Sequence, residues 1–201
     1  MTRSTSRTRA ATTTASRAVA FDPGQLALAA GGVLLRAGSS PVSGAAVDSR
    51  RVERGNAFFA IPGEHTDGHR FLEAAVAAGA AALIVSEALP DGQLDALSGQ
   101  GGAVSVIGVA DTAAALGAVA ASYRDRFDPL VIGITGSLAK TSTKEIVAAV
   151  LAERFSVLRN AGNENNEIGL PLTLLRLRPE HDVAVLEMGL YTTGEIALLA
   201  R

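Results

Sequence analysis

Apolar positions along the chain alternate between short continuous runs and longer stretches with helical spacing. Asp22-Pro23 followed by "GQLALAA" and the Gly31-Gly32 pair predicts a short helix: an N-cap, a proline at its first position and a glycine stop. "AAVDSR" (45–50) and "NAFFAI" (56–61) are short strand candidates split by the turn-rich "RVERG". "HRFLEAAVAAGA" is amphipathic and ends at Gly79, "AALIVSE" is a buried strand, and "AVSVIGV" is another. The helix "DTAAALGAVAASYRDRF" follows, with Asp111 placed to cap it.

Asp128-Pro129 marks a joint, because the residue before proline is pushed out of helical geometry and the next segment is a new apolar strand, "LVIGIT". After it the order is loop, helix (140–153), short strand "FSVL", polar loop, helix "IGLPLTLLRL", strand "VAVLEMG", loop and helix "GEIALLAR". A run of such βαβ units predicts a parallel, doubly wound sheet. The predicted class is therefore α/β: a small mixed unit at 21–127, then a P-loop parallel-sheet unit beginning at 128 that stops mid-pattern at Arg201. A half-built sheet of this kind is expected to expose an edge and apolar surface and to be poorly soluble.

Composition narrows the class. Apolar residues make up 48%, with no Trp, two Tyr and six Phe, so Val, Leu, Ile and Ala must build the core. The absence of cysteine removes disulfides, thiolate metal sites and a catalytic thiol, and it fits a reducing, cytoplasmic compartment. A net charge of −2 gives no global attraction for nucleic acid or anionic membrane. The longest apolar stretch, Ala74 to Val85, is broken by Gly79 and falls short of the roughly 20 residues that span a bilayer. Residues 1–20, rich in Arg, Thr and Ser and free of acids, are expected to form a disordered leader.

The stretch with the most chemistry is "TGSLAKTSTKE" (135–145). A strand delivering such a loop into a helix suits phosphate: successive backbone N–H groups surround the anion, a lysine bridges phosphate oxygens and a hydroxyl reaches Mg²⁺. Lys140 and Thr141 fill those last two positions, but Ala139 stands where a glycine normally precedes the lysine. If that position needs a positive φ, alanine costs about 1 kcal/mol; if it is simply the first helical residue, the methyl group is harmless. An ordinary strand-to-helix loop with a solvated lysine is the competing reading. Glu187, closing the strand "VAVLE", shifts the balance, since ligands of parallel sheets sit beyond the carboxyl ends of the strands, where the three residues would converge. Between them lies "NAGNENNEIGLP" (160–171), which reads either as a turn-rich connection or as a loop that places Asn163 and Asn166 at a transferred phosphate or an acceptor.

"GITGSLAKTSTKE", "GNENNEIGLPLTLL" and "AVLEMG…GEIALLA" together resemble the central domain of the Mur ligase family, in the type that adds D-alanyl-D-alanine to UDP-N-acetylmuramoyl-tripeptide. Upstream, "VDSRRVERGNAFFAIPGEHTDGHRFLEAAVAAGAAALIVSE" is similar to that family's uridine-nucleotide domain. The resemblance covers about residues 45–201. It implies that the backbone of Gly136, Ser137, Leu138 and Ala139, with Lys140, Thr141 and Ser142, holds the phosphates of ATP, and that Thr141 and Glu187 take Mg²⁺. It also implies that Lys140, Asn163 and Asn166 serve the transfer, while Asp48, Ser49, Arg50, Gly63, Asp67 and His69 contact the uridine nucleotide. The implied partners are UDP-N-acetylmuramoyl-tripeptide and D-alanyl-D-alanine, taken by a monomer without nucleic acid or membrane. His65 and His69 lie in a Gly-rich turn and are expected to position it rather than bind metal; His181 is expected to be solvated. The family has further parts, including a carbamylated lysine and a C-terminal domain, so the isolated chain is expected to be inactive as a ligase. The competing class is a nucleotide-binding module without ligase activity, or a related ligase for another UDP-muramoyl peptide.

Overall fold

The structure, a computed structural model, describes residues 20–63, 66–99, 102–189 and 195–199. Residues 1–19 of the expected leader and His65 lie outside them. The first helix, α1 (Pro23–Ala29), forms as its cap residue requires: the Asp22 carboxylate accepts from the Gln25 amide at 2.9 Å. Five strands then make one sheet: β1 (Val33–Arg36), β2 (Ala45–Ala46), β3 (Ala57–Phe59), β4 (Ala82–Val85) and β5 (Ser105–Gly108), in the order β1-β5-β4-β3-β2. Strands β2 to β5 are parallel to their neighbours, and β1 pairs antiparallel with β5. Besides α1, this unit holds α2 (Leu72–Ala77), α3 (Asp91–Ser98) and α4 (Thr112–Arg124). Asp111 caps α4 as anticipated, its Oδ1 accepting from Ala113 and Ala114.

Two elements of this unit escaped the pattern. β1 is four residues long, too short to show alternation, and α3 carries only Leu94, Leu97 and Ser98 on its buried side. Conversely, "AAVDSR" is strand only at Ala45–Ala46, because the Asp48 side chain accepts from the Arg50 amide and turns Ser49–Arg51 into a short 3-10 helix. Asp67 does the same to Gly68–Phe71, so α2 starts later than its amphipathic pattern suggested.

The second sheet holds β6 (Leu130–Ile134), β7 (Val157–Arg159) and β8 (Val183–Glu187), all parallel in the order β6-β8-β7. Helix α5 (Lys140–Ala152) joins β6 to β7, α6 (Gly169–Leu174) precedes β8, and α7 (Glu195–Leu199) follows it. The order is that of the βαβ units read from the sequence. Strand β8 is buried at all five positions, while Leu130 and Val131 of β6 are exposed, as are Ile146 and Val150 on the outer side of α5. No described helix is long and apolar enough to cross a membrane.

A single apolar cluster runs through both units, from Phe21, Leu26, Phe59 and Ile84 through Leu116, Val119 and Tyr123 to Leu170, Leu177, Ala184 and Leu186. Within it the Tyr123 hydroxyl donates to the Leu177 carbonyl at 2.9 Å, tying α4 to the turn after α6. Phe21 and Phe127 pack against the Tyr123 ring, and the Arg126 guanidinium lies 3.8 Å from the centre of the Phe21 ring.

Candidate functional site

Strands β6 and β8 end side by side, Ile134 in register with Glu187. The loop that leaves β6 is therefore delivered to the strand end that carries the carboxylate. Gly136 takes a φ of 145°, and Ala139, at the cap position of α5, takes φ 60° and ψ 12°. Ala139 is the one non-glycine residue with positive φ among the described residues. Of the two cases left open for this position, the strained one holds. Ser137, Leu138, Ala139, Thr141 and Ser142 are exposed, Leu138 at 87%. The Lys140 ammonium donates to the Gly136 carbonyl at 2.7 Å, folding back across its own loop.

Glu187 is 2% exposed. Its backbone is held by one side chain: Asn160 accepts from the Glu187 amide at 2.9 Å and donates to its carbonyl at 3.0 Å. The carboxylate Oε1 accepts from Asn165 Nδ2 at 2.8 Å, whereas the buried Oε2 has no hydrogen-bond partner. Burial would push this carboxyl up; the Asn165 amide, the Thr141 hydroxyl and the Lys144 ammonium outweigh it and hold the group below the ordinary carboxylate value. Lys144 is fully buried, with Nζ 3.5 Å from Glu187 Oε2, 3.4 Å from Glu145 Oε1 and 3.4 Å from the Gly162 carbonyl. An ionised, buried carboxylate oxygen with an unused lone pair beside the Thr141 hydroxyl fits a hard divalent cation, whose preferred donors are oxygens.

The asparagine loop divides its labour differently from the sequence expectation. Asn163 is exposed, and the Asn166 side chain accepts from the amides of Gly169 at 2.8 Å and Ile168 at 3.3 Å, where α6 begins. The residues that touch Glu187 are Asn160 and Asn165, which the sequence reading did not single out. Within so polar a run only burial separates them, and burial is set by the turn. Lys144 was also missed, although it lies four residues after Lys140 and three after Thr141, on one face of α5.

In the first unit, Asp48 and Arg50 form a two-pronged pair, Nε to Oδ1 at 2.9 Å and Nη2 to Oδ2 at 2.7 Å. The Arg50 guanidinium lowers the Asp48 carboxyl to about 2. Ser49 is half-buried beside them. The Gly63 amide donates to the Thr66 carbonyl at 3.1 Å. Asp67 accepts from both the backbone amide and the ring of His69, at 2.9 and 2.7 Å, and these bonds lower its carboxyl. Because His69 Nε2 accepts from the Ser86 amide at 3.0 Å, the ring proton sits on Nδ1. Both ring nitrogens are thus engaged, so His69 pins its loop to the end of β4 and has no lone pair for a cation, although Asp67 and Glu87 are near. His181 is half-buried and uses Nδ1 to accept from the Arg178 amide; burial lowers it.

A cleft of about 540 Å³ lies between the first unit and the segment around α6. Asp48 and Arg50 line it from the first unit, and Glu164 and Arg176 from the second, where Glu164 accepts from Arg176 at 2.7 Å. Gly169 lets the asparagine loop close over α6, since a Cβ there would lie 2.4 Å from the Glu164 Cα.

Comparison with known proteins bears on the family. Residues 41–124 match the model of the Mur ligase family, catalytic domain, and residues 134–201 that of the Mur ligase middle domain. The UDP-N-acetylmuramoyl-tripeptide--D-alanyl-D-alanine ligase of Synechocystis is 43% identical over 153 residues, covering 76% of this chain and 32% of the relative. The Escherichia coli ligase of the same name is 45% identical over 150 residues, 75% of this chain and 31% of its own. Among solved structures, MurF from Acinetobacter baumannii superposes with a TM-score of 0.77 at 34% identity, covering 90% of this chain and 38% of that one. MurF from Thermotoga maritima in complex with ADP does so at 0.67 and 32% identity, covering 79% and 35%. The chain spans about a third of the length of the curated relatives it matches. With the two family matches lying in order along one sequence, the chain belongs to the Mur ligase family.

Proposed function

We propose that this chain supplies the uridine-nucleotide unit and the first part of the ATP-binding unit of a ligase that joins D-alanyl-D-alanine to UDP-N-acetylmuramoyl-tripeptide in peptidoglycan precursor synthesis. The division between these roles falls at the Asp128-Pro129 joint, and the reaction belongs in the cytoplasm, where ATP is available. The observation that carries the reading is the register of β6 with β8, which sets the loop bearing Lys140 and Thr141 beside Glu187. ATP would supply the phosphoryl group that turns the peptide's terminal carboxylate into an acyl phosphate for the dipeptide amine, with Mg²⁺ neutralising charge that otherwise keeps phosphate and carboxylate apart.

The chain's own residues serve that chemistry by position. Lys140 exchanges its bond with the Gly136 carbonyl for phosphate oxygens, the amides of the exposed residues Ser137 to Ala139 face the anion, and Thr141 with Glu187 Oε2 offers oxygens to the cation. Asp48 fixes the Arg50 fork at the mouth of the cleft, where it meets an anionic ligand. Asn160 and Asn165 keep Glu187 from turning away.

Calorimetry on the 201-residue chain tests the reading with UDP-N-acetylmuramoyl-tripeptide and Mg-ATP titrated separately. Binding of both is expected, with Arg50→Ala abolishing the first alone and Lys140→Ala the second alone. A folded chain that binds neither ligand would sink it.

A further inference from the structure

Lys144 is assigned no contact with nucleotide or cation above, yet it is the most deeply buried charge of the site. Its ammonium is ringed by three acceptors at 3.4 to 3.5 Å, the carboxylates of Glu187 and Glu145 and the Gly162 carbonyl. All three distances exceed the usual 2.7 to 3.2 Å or so of a hydrogen bond to nitrogen, so the ammonium acts on Glu187 chiefly as a point charge. Glu145 is itself paired with Arg159 at 2.7 Å, which leaves Lys144 as the counter-charge of Glu187 in the resting site.

Placed so near, a fixed positive charge has opposite effects on two ligands. A bare divalent cation approaching Glu187 Oε2 meets a carboxylate already neutralised, with a like charge behind it. A cation carried by a nucleotide arrives with the nucleotide's negative charge, which Lys144 and Lys140 attract together. We propose that Lys144 is a positioning residue that makes cation binding at Glu187 depend on the nucleotide: it stands in electrostatically for the metal in the empty protein and excludes free divalent cations from the site. The inference rests on Glu187 being the carboxylate for the nucleotide-borne cation, as set out above.

Mn²⁺ is the probe, with free ion followed by electron paramagnetic resonance, on the 201-residue chain. The wild type is expected to bind Mn²⁺ weakly alone and tightly when ATP is added. Lys144→Met, checked for folding by circular dichroism, is expected to gain affinity for nucleotide-free Mn²⁺ by about tenfold or more, given one unit charge removed beside the ion. Adding Glu187→Gln should abolish the gain, and Lys144→Arg should behave as the wild type. Lys144→Gln, whose amide is polar enough to face the Gly162 carbonyl, serves if the methionine variant does not fold. A folded, uncharged variant with unchanged nucleotide-free affinity overturns the proposal. So does a wild-type chain that binds Mn²⁺ as tightly without ATP as with it, a result that needs no variant. If ATP fails to bind at all, the functional reading falls, while the nucleotide-free comparison still decides the role of Lys144.

Discussion

Replacing Ala139 with glycine should stabilise the protein, against the usual direction for a residue opening a helix. The left-handed conformation costs an L-residue about 1 to 2 kcal/mol, and Ala139 occupies it at φ 60°. Glycine removes that cost but gives the unfolded chain more freedom, worth about 0.4 to 1 kcal/mol in the other direction. The Ala139 methyl is exposed, so no packing is lost. From the middle of both ranges the net gain is about 0.8 kcal/mol, and at a urea slope of about 2 kcal/mol per molar it moves the unfolding midpoint up by roughly 0.4 M. Ala149→Gly is the matched control, exposed and on the same helix but in right-handed geometry, and it should lose about 1 kcal/mol. The two substitutions, chemically identical, must move the midpoint in opposite directions. If Ala139→Gly destabilises as much as Ala149→Gly, residue 139 is not left-handed and the strain assigned to the loop does not exist.

Asn165→Ala strips Glu187 Oε1 of its hydrogen bond inside the protein and should cost about 1 to 3 kcal/mol in urea unfolding, with a parallel loss of Mg-ATP affinity by calorimetry; unchanged affinity would disconnect Asn165 from the site. Gly169→Ala drives a methyl against the Glu164 backbone and should cost about 1 to 3 kcal/mol, read by the same unfolding assay, whereas tolerance would mean the loop does not close on α6. Asp48 should titrate by NMR near pH 2 and move up toward the ordinary value of about 3.9 in Arg50→Ala. The sign follows from the lowered value: the Asp48–Arg50 pair favours the folded state above about pH 4 and ceases to do so as pH falls through about 2.

The parallel units were readable because buried strands such as "VAVLE" are continuous apolar runs and caps such as Asp22 and Asp111 announce helix starts. Side chains that bond their own backbone defeated the reading in two places, since Asp48 and Asp67 each convert an apparently regular segment into a 3-10 turn. At the site, Lys140, Thr141 and Glu187 stood out because their residue types and element ends are diagnostic together. Asn165 and Lys144 did not, because their contacts depend on where a turn and a helix face come to rest against β8. Lys144 could have been suspected from its spacing after Lys140 and Thr141; nothing in "GNENNE" distinguishes Asn165 from its neighbours.

The bond from Tyr123 to Leu177 lies within an apolar cluster that ignores the boundary between the two sheets. Melting should therefore be cooperative across the whole described chain, one calorimetric transition rather than two. A ligand seated on either sheet would then raise the melting temperature of both, by an amount set by its concentration relative to its dissociation constant. Uridine-nucleotide occupancy and ATP occupancy become thermodynamically visible to each other through shared stability, with no hinge or relay required.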